Sequence, residues 1–211
     1  MERGVFERVQ ELGDLWPRTG AHILHVYLDE TERRHGLLEF IAAGFLQGER
    51  ICCVSNHPVD EVLADWRTRA SGRSAPPAPG PPAADGGPFW ACSSREFYLA
   101  GGVFDSGRVY RKWQDFCNET RRLGYSGLRA FGEVLPELGR VADGRVVTLY
   151  EMNLEAELQK NPPTCVVCQY DARAFKGEVL WSILRAHPLV LVGAKVCPNP
   201  VFEPSIQMKS H

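Results

Sequence analysis

No run of apolar residues in this chain approaches the roughly 20 that a membrane-spanning helix needs, and even Leu37 to Leu46 is cut by Glu39 and Gly44. The opening, Met1 to Trp16, mixes charged and apolar residues and has neither the apolar block nor the small-residue cleavage site of a secretory signal. A soluble, cytoplasmic protein is expected. Charge of one sign is lacking too: 24 Lys and Arg stand against 26 Asp and Glu, a net −2, so no surplus points to nucleic acid or to an anionic membrane as partner. G-x-G-x-x-G and G-x-S-x-G are missing, which removes the simplest dinucleotide and serine-hydrolase readings. No internal repeat is visible. Seven cysteines, an odd number with no export signal, fit a reducing compartment where buried thiols act as small hydrophobes, and no disulfide framework is expected.

What is present suffices for one well-buried core, with 211 residues of which 44% are hydrophobic. Val5, Val9, Leu12 and Trp16 share one face of a short helix within residues 1–17, which Pro17 stops. His22 to Leu28 is a strand-length run rich in branched and aromatic residues, and the acidic turn Asp29 to Glu32 opens a helix over Glu32 to Gln47, ended by Gly48. Ile51 to Ser55 reads as a buried strand, and Val59, Val62, Leu63 and Trp66 form a second amphipathic stretch. This β-α-β-α alternation predicts an α/β fold, a mostly parallel sheet with helices on both faces.

Residues 71–88 are almost entirely Pro, Gly, Ala and Ser, too poor in apolar bulk to offset the entropy of ordering, and read as a flexible loop. Beyond them the pattern predicts a strand at Phe89 to Ser93, a helix containing Phe97 to Leu99, and a long helix over 106–123 with Val109, Trp113, Phe116 and Leu123 inward. Strands are expected at Leu128 to Gly132, Val146 to Tyr150, Cys165 to Tyr170 and Leu189 to Val192. Helices are expected at Glu151 to Lys160 and Phe175 to Ala186, and a Pro-rich tail ends the chain.

Several phrases resemble the MEDS family, the methanogen/methylotroph DcmR sensory domain. They are Gly20-Ala21-His22-Ile23-Leu24-His25-Val26-Tyr27, Gly44 to Glu49, Phe97 to Asp105, Gly124 to Arg129, Tyr150-Glu151, Cys168 to Asp171 and His187-Pro188, in the family's order. The resemblance implies a three-layer αβα sheet similar to RecA/KaiC-like ATPases. It also implies one sensory domain over 18–202 that binds a small organic molecule, with 203–211 as a tail. A separate kinase, transcription regulator or anti-sigma-type partner is then expected to receive the signal, because no output domain is visible. Two departures stand out: Leu24 occupies a position where many relatives carry Cys, and 71–88 is longer than the usual connection. Where a RecA-like protein would hold its G-x-x-x-x-G-K-[ST] phosphate loop, this chain has Asp29, Glu30, Thr31 and Glu32. Those carboxylates would repel a triphosphate, so ATP is not expected as a cofactor.

Open parallel sheets bind ligands at the carboxyl ends of their strands. The residues expected there are Tyr27, Glu32, Ser55, Ser93, Glu96, Arg129, Glu133, Tyr150, Glu151 and Tyr170, aromatic walls with a few charged contacts. Each also has a structural reading. Ser93 and Glu96 fit a helix-capping box. Arg129, buried in an apolar strand, requires a carboxylate partner, for which Glu133 or Glu151 is available. The tyrosines suit a core with satisfied hydroxyls, His57 suits a turn, and His187 before Pro188 suits a helix end.

Cys165 and Cys168 form a C-x-x-C, but strand geometry would send them to opposite faces, as it would His22 and His25, so two core cysteines rank ahead of a shared ion. A mixed site in which His25 meets Cys168 or His187 would suit zinc, iron or haem, and supports the alternative of a metal- or haem-dependent enzyme. A further alternative is a ligand-free scaffold whose dimer face carries Trp90, Phe104 and Trp113.

Overall fold

In the computed structural model, which describes residues 9–11, 20–58, 61, 64, 87–138, 144–158 and 163–204, the run after Gly20 forms an inner strand of an eight-stranded sheet. In chain order the strands are β1 (Gln10–Glu11), β2 (Ala21–Tyr27), β3 (Arg50–Ser55), β4 (Phe89–Ser93), β5 (Leu128–Glu133), β6 (Thr164–Asp171), β7 (Leu189–Val192) and β8 (Lys195–Pro198). The helices are α1 (Glu30–Leu46), α2 (Ser94–Tyr98), α3 (Ser106–Arg122), α4 (Gly144–Leu158) and α5 (Gly177–Ala186). Across the sheet the order is β1-β8-β7-β2-β6-β5-β3-β4. From β7 to β4 every pairing is parallel, whereas β8 and β1 are added antiparallel at one edge.

Both faces of the sheet are covered. On one, α1 packs Leu37, Phe40 and Ile41 against Ile23, Ile51, Phe131 and Val167. On the other, α3, α4 and α5 bring Val109, Trp113, Leu154 and Ile183 onto Leu24, Ala130 and Val166. This is the three-layer αβα arrangement that the alternation predicts.

Local chemistry sets where α1 begins and ends. The Asp29 carboxylate accepts the Glu32 amide at 2.9 Å, and Glu32 reaches back to accept the Leu28 amide at 3.0 Å. Together they satisfy two amides at the helix start. At the far end Gly48 takes φ +69°, a left-handed conformation that costs glycine little. Gly44 lets the helix lie close to the sheet, since a Cβ there would sit 2.3 Å from Ile51 Cδ1.

The structure departs from the sequence expectations in four places. Val146 to Tyr150 is helical and belongs to α4. Its branched residues favour strands locally, but Val147, Tyr150, Leu154 and Leu158 are all buried and recur at helical spacing, so packing overrides propensity. The tail contains β8, joined to β7 by a two-residue hairpin through Gly193 at φ +61°. In the segment expected to form the first helix, Gln10 and Glu11 pair with Val196 and Lys195 as strand; residues 1–8 and 12–19 lie outside the described residues. On α3, Cys117 and Thr120 are buried while Phe116 is half-buried. The amphipathic stretch around Val62 and the Pro-rich residues 71–86 also lie outside the described residues.

Candidate functional site

At the carboxyl ends of the parallel strands a cleft of about 390 Å³ is lined by Tyr27 at the end of β2, Asn56 and His57 just past β3, Ser93 and Ser94 at the junction of β4 and α2, Glu133 at the end of β5 and Asp171 at the end of β6. Neighbouring β2 and β6 lead into helices on opposite faces of the sheet, and such a reversal splays the loops apart. Glu133 is the hub. Its Oε1 accepts from the Tyr27 hydroxyl at 3.1 Å, and its Oε2 from the Ser55 hydroxyl at 3.0 Å and the Asn56 amide at 2.8 Å. Arg33 and His57 stand 4.0 and 3.8 Å from the same carboxylate. Burial pushes the Tyr27 hydroxyl above its ordinary range, reinforced by the Glu133 charge, so it remains a donor. Four carboxylates, Glu30, Glu133, Glu137 and Asp171, line the cleft. Arg33 pairs with Glu30, Arg95 with Glu137 and Arg173 with Asp171, so the Glu133 carboxylate and its hydroxyl partners are what the cleft offers to a neutral polar or cationic group.

A second cluster lies wholly inside the protein, between β2, β6, α4 and the end of α5. His22 Nε2 stands 3.2 Å from Glu151 Oε2 and 3.4 Å from the Cys168 thiol, and the same thiol is 3.5 Å from Glu151 Oε2. His187 Nε2 approaches Glu151 Oε2 at 3.6 Å, and its ring centroid is 3.9 Å from that of His22. Tyr170 donates to Glu151 Oε1. All of these residues have at most 2% exposure.

Burial opposes charge on His22, but Cys168, Glu151 and Glu155 raise its pKa well above the ordinary value. Burial would raise the Glu151 carboxyl, yet the hydrogen bond from His22 and the nearby imidazoles hold it low. His187 is pushed down to about 3 by burial and by the charge on His22, and is therefore neutral. Its Nδ1 donates to the Ile183 carbonyl at 2.8 Å, so Nε2 carries the lone pair. Burial and the Glu151 charge push the Cys168 thiol up to about 12, leaving it a poor nucleophile.

The expected strand-end residues thus divide. Tyr27, Ser55, Ser93 and Glu133 gather at or beneath the cleft, whereas Glu151 and Tyr170 join the inner cluster. Glu32 and Ser93 cap α1 and α2, and Glu96 supplies the amide that Ser93 accepts at 3.1 Å. Tyr150, on α4 rather than after a strand, accepts from the Trp113 indole at 3.1 Å. Arg129 sits at the other end of β5, where Glu49 and Gln47 accept from it; neither Glu133 nor Glu151 is its partner.

His25 does not meet Cys168 or His187. It faces α1, with Gln169 2.7 Å from its Nδ1, while His22 faces the cysteine. The sequence hid this choice because β2 is buried on both faces, so alternation gives no phase. Cys165 and Cys168 point to opposite faces as expected, each in a different core cluster. Trp113 is buried, and Trp90 and Phe104 pack against the same core.

These features define a doubly covered, mostly parallel α/β domain with a small polar cleft at its strand ends and a buried His/Cys/Glu cluster beneath one face. The chain belongs to the MEDS family, the methanogen/methylotroph DcmR sensory domain, whose pattern matches residues 21–188. No curated protein matches it.

Proposed function

We propose that this protein senses a small organic molecule that carries an amine or hydroxyl group and binds at the strand-end cleft. The Glu133 hub carries the reading: a buried carboxylate, fed by donors from β2 and β3, opens onto a cleft of about 390 Å³. That volume lies in the range of small-molecule sites. Membership of a sensory family supports the regulatory role. Binding shifts a two-state arrangement of the loops after β2, β3 and β5, and a separate kinase, regulator or anti-sigma-type partner reads the change.

Thermal-shift titration with a panel of short-chain amines and alcohols tests the reading. At least one compound should raise the Tm saturably in the natural chain and fail to do so in Glu133→Gln. A response unchanged by that substitution, or none across the panel, contradicts it.

A further inference from the structure

We propose that His22, Glu151, Cys168 and His187 form a tetrahedral zinc site inside the α/β domain. The site is separate from the strand-end cleft, and the proposal does not depend on the sensing reading.

The spacing is that of a coordination shell. Zinc binds imidazole nitrogen, carboxylate oxygen and thiolate sulfur at about 2.0–2.3 Å, so a tetrahedral shell separates its donor atoms by roughly 3.3–3.8 Å. Four donors make six edges. Four of these are 3.2 Å (His22 Nε2 to Glu151 Oε2), 3.4 Å (His22 Nε2 to Cys168 Sγ), 3.5 Å (Cys168 Sγ to Glu151 Oε2) and 3.6 Å (His187 Nε2 to Glu151 Oε2). All four donors lie within 4.8 Å of one another. Convergence on one point suits a single ion rather than haem, which takes one or two axial ligands.

Hydrogen bonding alone does not account for the cluster. His187 Nε2 is fully buried, has no hydrogen-bond partner among the described residues, and points at a carboxylate that cannot donate to it. A cation at the centre would use that lone pair. Three of the four ligands also have an orienting neighbour of the kind metal sites use. The Ile183 carbonyl fixes His187 Nδ1, Glu155 Oε2 stands 3.5 Å from His22 Nδ1, and the Tyr170 hydroxyl holds the second oxygen of Glu151. Zn(II) with one carboxylate and one thiolate is neutral overall, as a fully buried centre requires.

The experiment is elemental analysis of tag-free protein purified without chelator, with X-ray absorption at the zinc edge. Expected are about one zinc per chain and a first shell of one sulfur with nitrogen and oxygen neighbours. Cys168→Ser and His187→Gln should each lose the metal, while His25→Gln, on the other face of β2, should keep it. Should the ligand variants fail to fold, the absorption spectrum of the natural chain decides alone. A protein that holds no zinc even after incubation with the ion overturns the proposal. So does a shell with no sulfur or several, or zinc retained in both ligand variants.

Discussion

His25 and His22 lie three residues apart on one strand, yet their surroundings differ as much as two buried histidines can. His25 is neutral: burial, with Arg33 nearby, pushes its pKa down to about 4 even though Glu32 pulls the other way. An unfolded histidine titrates near 6.5. Between those values the unfolded chain binds a proton that the folded chain does not, so His25 contributes stability that is present above about pH 6.5 and lost as pH falls towards 4. Denaturant unfolding followed from pH 7 to pH 4.5 should show a steeper fall in stability for the natural chain than for His25→Gln. Parallel curves would mean that His25 is not held neutral. The sequence correctly implies that the two histidines face apart, but which one meets Cys168 depends on the phase of β2 against β6. A strand buried on both faces carries no trace of that phase.

At the scale of elements, the family phrases Gly44 to Glu49 and Gly124 to Arg129 turn out to be two halves of one joint. Gly44 brings α1 close to β3, Ser126 donates to the Gln47 carbonyl at 2.8 Å, and Glu49 pairs with buried Arg129. From sequence, Arg129 plainly needs a carboxylate, but choosing among Glu49, Glu133 and Glu151 requires knowing which end of β5 it occupies. The same tertiary dependence explains why Val146 to Tyr150 reads as strand and folds as helix. The joint makes a signed prediction. Gly44→Ala in an open helix would stabilise by up to about 1 kcal/mol; here the added methyl would meet Ile51 and Arg129 at 2.3 and 2.9 Å, so a loss of ~1–3 kcal/mol is expected. Urea unfolding with an unchanged m-value checks it, and a gain in stability would refute the close packing.

Across the whole molecule, the β-α-β alternation was legible in the sequence because it depends on local periodicity. The antiparallel edge was not, since β8 is four residues long and β1 two. Nor was the separation of the expected site residues into an open cleft and a closed cluster, because α4 carries Glu151 into the interior. No helix among the described residues is long and apolar enough to cross a membrane. The central claim is that the strand-end cleft receives the ligand. Its most direct test is a set of amide ¹⁵N spectra of the whole chain, titrated with short-chain amines and alcohols. Saturable shifts confined to Tyr27, Asn56, Ser94, Glu133 and their loops are the predicted result. Shifts that bypass those amides, or none with any compound, would contradict it.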